Sequence, residues 1–322
     1  DNVTGGGITM GDEAVALHLS IENNHLLNLG LAVSAGSNQL DPAMAVMKLA
    51  ATRSSAAGIS LAHVRNADIA HNVLNNLGAH AAPEARLAGI QVSGSQRLRI
   101  GANRINNLGP SSGQLRSADA ILVLGPFGQV DVTDNSIRRN DLIPLEGRDD
   151  SSWWALRILE APSSALSGGM VHFNTGEFGA YLGKENVVIT ALTQGAASIR
   201  GNTMDYYGNT EAVRIAMDGR CAFNDNRATS LLTTELPVVF LAAGAIILNA
   251  NYLFGPVNAD GAGDPKYNEN IGRKVGGNGL VVARLSVDKG SFAVVGNITS
   301  APIAIDGGLL PDPWNPLNVI SP

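Results

Sequence analysis

The stretch Gly89–Gly109, GIQVSGSQRLRIGANRINNLG, decides how the rest of the chain is read, because nearly the same sentence stands upstream at Gly58–Gly78 as GISLAHVRNADIAHNVLNNLG. With Gly58 set on Gly89, Ile59 falls on Ile90, Ile69 on Ile100, Asn72 on Asn103, Leu74 on Ile105, Asn76 on Asn107 and Leu77 on Leu108. A third copy, LSIENNHLLNLG, puts Ile21, Asn24, Leu26, Asn28, Leu29 and Gly30 in the same columns. An internal repeat of this kind outranks local propensity as a guide to architecture.

Inside each copy an apolar residue, an outward residue and a second apolar residue precede a polar corner built on Asn. That period of two predicts strands. The Asn or Gly at each corner supplies the left-handed backbone of a sharp bend. One such unit cannot bury its apolar face alone, so copies must stack, each strand pairing in parallel with its counterpart one repeat away, as a solenoid of strands. Val132 with Asn135, Val171 with Asn174, Ile199 with Asn202, Phe223 with Asn226, Leu248 with Asn251 and Val294 with Asn297 continue the series. A second short strand precedes most of these asparagines, as in Ile121-Leu122-Val123 and Val213-Arg214-Ile215.

This pattern resembles the right-handed parallel β-helix of the pectate-lyase-like superfold, over nearly the whole chain. The resemblance implies an all-β fold, a right-handed single-stranded parallel β-helix (solenoid) with irregular loops and a Pro-rich C-terminal cap. It also implies that Asn24, Asn72, Asn103, Asn135, Asn174, Asn202, Asn226, Asn251 and Asn297 stack in one internal ladder, each amide bonding the backbone and the next asparagine. The expected organisation is a single domain over 1–322. Residues 1–13 open it, repeats fill 14–305 with insertions near 31–57, 140–152 and 255–279, and 306–322 form the cap, whose prolines argue against continuing a parallel ladder.

Composition agrees with a narrow core: 37 glycines and 5% aromatic residues leave Ala, Val, Ile and Leu to fill it. A formal charge of −6, without a basic run, argues against nucleic acid as a partner and mildly against other polyanions. The lone Cys221 excludes a disulfide-stapled design and leaves the compartment open. No apolar run reaches membrane-spanning length, so no membrane insertion is expected. Opening at Asp1, with neither a starting Met nor a signal peptide, the chain is read as cut from a longer polypeptide or processed.

Two sites stand out. The charged segment NDLIPLEGRDDSS, at 140–152, carries Glu146, Arg148, Asp149 and Asp150, with His172 one repeat later. Two of these carboxylates within reach of one bond could act as acid and base, although adjacent Asp149 and Asp150 tend to point apart. Beside them, Trp153 with Arg148 and Asp150 could stack and hydrogen-bond sugar rings as a glycan-binding rim. Alternation along WWALRIL puts Trp154, Leu156 and Ile158 on one face and Trp153 on the other. Asp260, Asp264, Glu269 and Asn270 match no ordered metal loop, and no cofactor is expected. Asn297-Ile298-Thr299 matches a glycosylation acceptor, but a ladder position should be buried.

The closing segment, VVGNITSAPIAIDGGLLPDPWNPLNV, is similar to the end of bacterial β-helix repeat proteins encoded beside phage-tail-like contractile injection machinery. The leading expectation is a non-catalytic structural or surface-recognition module of such a particle. Its partners would be other subunits or domains of the particle, and a cell-surface glycan. The alternative is a polysaccharide-degrading spike of glycosidase or lyase type, with Asp149, Asp150, Glu146 and His172 as its site.

Overall fold

The computed structural model describes residues 7–10, 15–29, 56–81, 85–109, 117–138, 153–159, 170–174, 177–180, 187–191, 196–206, 213–217, 220–230, 239–243, 245–254, 280–285, 291–299, 303–305, 308–309 and 315–320. The GISL copy becomes three successive strands, Ala56–Ala62, Val64–Ala70 and Val73–Leu77. In the next copy the first two merge into one strand, Arg86–Gly101, followed by Arg104–Leu108. Among the described residues only Asn315–Leu317 is helical, a single 3-10 turn.

Strands one repeat apart pair in parallel, in the register the sequence columns anticipate. Ile21 faces Ile69, then Ile100, Val132, Phe173, Ile199, Phe223, Leu248 and Val294 in one unbroken column. The strands after the ladder corner form a second column, from Leu26 through Leu74, Ile105 and Ile137 to Leu253, Thr299 and Ile320. These are sheets of 18 and 10 strands. The exception to parallel pairing among the described strands is Ile303–Ile305 against Gly308–Leu309. The chain is therefore all-β with parallel sheets, an arrangement compatible with a β-helix.

The corner between the sheets is an asparagine stack. Asn103 Oδ1 accepts the backbone N–H of Asn72 at 3.0 Å and its Nδ2–H at 2.9 Å, while Asn103 Nδ2 donates to Ile69 O and to Asn135 Oδ1. The same bonds join Asn24 to Asn72, Asn202 to Asn226, Asn226 to Asn251 and Asn251 to Asn297. Asn297 is fully buried, as a ladder member should be and a glycosylation acceptor should not.

Three expectations are corrected by this geometry. Asn174 pairs with Thr133 and so stands two residues short of the Asn135 column, because the pairing resumes at Glu177 with Ser136. The register thus places Asn174 outside the ladder column. The Pro-rich tail does continue the parallel ladder: Val319–Ile320 pairs with Ile298–Thr299, and Asn318 Oδ1 accepts Asn297 N and Nδ2 at 3.0 and 2.8 Å. Pro316, the described proline of the tail, lies in the 3-10 turn before the pairing residues, so its missing N–H costs nothing there. Finally, the left-handed residue at the ladder corner is the one before each asparagine, with φ of 58° at Asn23, 57° at His71, 53° at Ala102, 56° at Asp134 and Asp225, and 52° at Ala250. Asn28, Asn76 and Asn107 do adopt positive φ, but at the next bend along.

The core is thin, and at one edge it admits almost no side chain. A Cβ at Gly58 would lie 2.9 Å from Gly89 O, and one at Gly89 would lie 2.7 Å from Ala120 O. Gly7 occupies the same column, and Ile8 pairs with Ile59, so the opening segment contributes a strand to the stack. The insertions near 31–57, 140–152 and 255–279 fall outside the described residues, save for Ala56 and Ala57 at the start of a strand.

Two substitutions test this account by thermal and urea unfolding. Asn103→Leu strands the buried N–H of Asn72 and the carbonyl of Ile69, at about 1–3 kcal/mol for each group left unpaired. An unchanged midpoint would remove the ladder from the description of what holds the register. Ala102→Gly relieves a left-handed alanine and should stabilise by about 1 kcal/mol; a loss would contradict the corner geometry.

Candidate functional site

Of the residues expected to carry chemistry, Glu146, Arg148, Asp149 and Asp150 lie outside the described residues. Trp153 pairs with Ala118 at the start of strand Trp153–Leu159, and His172 pairs with Asp131; their side chains lie outside the described part. Among the described residues no group of three His, Cys, Asp or Glu side chains could hold a metal ion, and no helix is long and apolar enough to cross a membrane.

Strand Trp153–Leu159 does carry a charged cluster, built on its neighbour in sequence, Trp154. Ala155 and Leu156 both enter the core, as do Ala120 and Ile121 on the paired strand, so two consecutive inward residues break the alternation. Trp154 is thereby separated from the Leu156–Ile158 face, contrary to simple alternation, and joins Arg157 and Asp119. Arg157 Nη2 donates to Asp119 Oδ2 at 2.6 Å, and its guanidinium lies 4.1 Å from the centre of the Trp154 ring. Asp119 is 0% exposed, Trp154 and Arg157 9% each. Burial pushes the Asp119 carboxyl from 3.8 up to about 6, against the opposing pull of the Arg157 guanidinium and, at longer range, Arg86. Asp119 Oδ1 and Arg157 Nε are buried without a hydrogen-bond partner, so this pair is incompletely compensated.

A second constellation is open to solvent. It is assembled from outward positions of the strands that precede the ladder corner. One column runs His18, Asn66, Arg97, Gln129; the next, two residues along, runs Ser20, Asp68, Arg99, Asp131 and reaches His172. Between them Ala67, Leu98 and Val130 turn into the core. Because Val64 and Ala67 both point inward, Arg65 and Asn66 are two consecutive outward residues, as are Gln96 and Arg97 one repeat on. A groove of about 700 Å³ crosses these repeats, lined by His18, Asp68, Arg97, Arg99, Gln129 and Asp131 among others. Beside it lies a smaller cavity of about 270 Å³, lined by Leu17, His18, Arg65, Asn66, Gln96 and Arg97.

The polar partners in the groove are mostly settled. Arg99 Nη1 pairs with Asp68 Oδ2 at 2.9 Å, Gln129 Nε2 donates to Asp131 Oδ2 at 2.8 Å, and Arg65 Nε donates to Gln96 Oε1 at 2.9 Å. Asn66 Nδ2 donates to Leu17 O at 3.1 Å and lies 3.3 Å from His18 Nδ1. The Arg97 guanidinium has no such partner among the described residues. Exposed pairs of this kind add little stability. What they provide is a firm floor: main-chain pairing fixes the spacing of each column at about 4.8 Å per repeat. Chemically, the surface offers amide, carboxylate and guanidinium groups in rows, suited to a hydroxyl-rich extended ligand rather than to an apolar one.

Sequence reading missed this groove and cluster alike. The only available signal was that the outward positions flanking Leu19, Ala67, Leu98 and Val130 are polar or charged in every copy. Asp119 carried no motif at all.

The Asp119 cluster generates a pH prediction. Since its folded pKa of about 6 exceeds 3.8, the contribution of this carboxyl to stability is fully present below its unfolded value and is lost as the pH rises through about 6. Unfolding midpoints measured across that window should therefore fall with rising pH more steeply in the wild type than in Asp119→Asn. At neutral pH, where the wild-type carboxyl is ionised against the cost of its burial, the variant should be at least as stable as the wild type. Parallel pH profiles for the two proteins would refute the assignment.

No protein-family model, no curated protein and no solved structure matches this chain.

Proposed function

We propose that the chain is a right-handed parallel β-helical solenoid acting as a rigid, non-catalytic recognition module of a larger assembly, with a glycan laid across the polar groove between His18 and Asp131. Parallel pairing of each strand with its counterpart one repeat on supports the solenoid, and crossovers between parallel strands are right-handed in almost all proteins. The observation that carries the functional reading is the groove itself: about 700 Å³, open along one side, with Arg97, Arg99, Gln129 and Asp131 presented in register by paired backbones. A ligand bound there gains from groups already ordered, so little conformational entropy is lost on binding. The setting in a phage-tail-like contractile particle rests on the closing segment alone. There other subunits would be the partners, and a cell-surface glycan the target.

A second reading is favoured by one observation, the Asp119 carboxyl raised to about 6 beside Arg157 and Trp154. A carboxyl poised near neutrality has the acidity a general acid needs, although Asp119 is fully buried and does not itself line the groove. In that reading the chain is a glycosidase or lyase, with Asp149, Asp150, Glu146 and His172 as further candidates.

The two readings separate in one experiment. The protein is incubated with a panel of acidic and neutral bacterial glycans while retention and new reducing ends or unsaturated products are both followed. The recognition reading expects retention without turnover. Turnover that disappears in Asp119→Asn, Asp149→Ala or Asp150→Ala would replace it with the enzymatic one.

A further inference from the structure

The cavity of about 270 Å³ beside the groove differs from its surroundings in charge. Its lining holds two guanidinium groups, Arg65 and Arg97, with His18, Asn66 and Gln96, and no carboxylate. Elsewhere on this face the cations are answered: Arg99 is paired with Asp68 at 2.9 Å. The protein as a whole carries a formal charge of −6, so a carboxylate-free pocket with two arginines is a local inversion of the surface. Both arginines are exposed. Arg65 spends only its Nε on Gln96, leaving the terminal nitrogens, and the Arg97 guanidinium has no hydrogen bond or ion pair among the described residues.

The two side chains also stand in useful relation. Asn66 pairs with Arg97, so Arg65 and Arg97 lie on adjacent strands, displaced by one residue. Adjacent strands are about 4.8 Å apart, which lets two guanidinium forks close on one planar anion from neighbouring repeats. Arginine is suited to this because its fork matches a carboxylate or phosphate bidentately and cannot lose its charge.

Resting on the glycan-recognition reading, we infer that this cavity is an anion subsite that takes the carboxylate of a uronic acid residue, and that the ligand of the groove is an acidic glycan. The cavity and groove share His18, Asn66 and Arg97, so one polymer can occupy both. Past Arg97 the surface changes character, to Gln129, Asp131 and the Arg99–Asp68 pair. A chain with a negative charge on every unit would meet Asp131 there. A polymer whose carboxylates are separated by hydroxyl-bearing sugars would instead donate hydroxyls to it. Spaced charge is thus favoured over the dense charge of a nucleic acid.

Binding of the 322-residue chain is measured by calorimetry at low and moderate salt against three probes: a hyaluronan oligosaccharide, in which uronate alternates with a neutral sugar, neutral maltohexaose, and a single-stranded oligonucleotide with as many charges as the hyaluronan probe. The wild type is compared with Arg97→Gln and Arg65→Gln, both exposed positions, with unfolding midpoints recorded to show that the fold is intact. The inference expects the uronate probe to bind best, with salt-sensitive affinity, and to weaken roughly 10- to 100-fold in either variant, the loss of a charge-assisted hydrogen bond. Equal binding of maltohexaose, unaffected by Arg97→Gln, would overturn the anion subsite while leaving glycan recognition standing. Binding of neither sugar would overturn both, and equal or tighter binding of the oligonucleotide would reassign the site to polyanions in general.

Discussion

A single hydrogen-bonding arrangement holds this molecule in register. Each ladder asparagine places one oxygen between two N–H groups of the asparagine one repeat before it, and returns its own amide to the carbonyl three residues ahead of that asparagine. For Asn72 that carbonyl belongs to Ile21, for Asn135 to Ile100, for Asn251 to Phe223 and for Asn297 to Leu248. Every one of those carbonyl residues is a core residue. The polar corner and the apolar interior are therefore tied at the same point of the chain, and neither can shift by one residue without orphaning a buried amide. A slip would also carry each apolar side chain to the wrong face. The net gain per bond is modest, but the cost of breaking one is not.

The ladder also fixes what the outer faces can be. Repeats held at constant spacing turn a single outward position into a row of side chains, so polar residues separated by roughly 30 or more places in the chain become neighbours. His18, Asn66, Arg97 and Gln129 form one such row, and Ser20, Asp68, Arg99 and Asp131 another. Where two consecutive residues face the same way, the row doubles. At 65–66 the doubled row is outward and opens the cationic cavity; at 120–121 and 155–156 it is inward and leaves Asp119, Trp154 and Arg157 together on the other side of the sheet. The places where consecutive residues face the same way, more than any local motif, decide where charged groups collect.

The asparagine columns were legible because a repeated polar residue at a fixed offset from apolar alternation has few physical explanations. Ile69 and Ile100, or Asn72 and Asn103, could be paired on paper and are paired in three dimensions. Asn174 shows where that legibility fails: the triplet around it has the right residue types, yet the pairing of neighbouring strands places it beside Thr133. Asn318 shows the reverse failure, a true ladder member hidden among prolines. The left-handed corner residues were illegible for another reason. Asn23, His71, Ala102, Asp134 and Ala250 share a backbone conformation and no side-chain chemistry, because their neighbours' hydrogen bonds impose it.

What the amino-acid order determined by itself is the all-strand character, the repeat and most of the ladder, since these follow from periodicity and from the few residues able to satisfy a buried corner. The tertiary structure alone decided which residues share a face. Asp119 meets Arg157 across 38 residues of chain, and Arg65 meets Gln96 across 31. The second separation is the offset that sets Gly58 on Gly89 and so puts Arg65 on Gln96 in the sequence columns. That both turn outward beside Asn66 and Arg97, and that Asp119 meets Arg157, has no local signal, because a side chain's direction at a bend depends on how the backbone turns to pack against the repeats on either side.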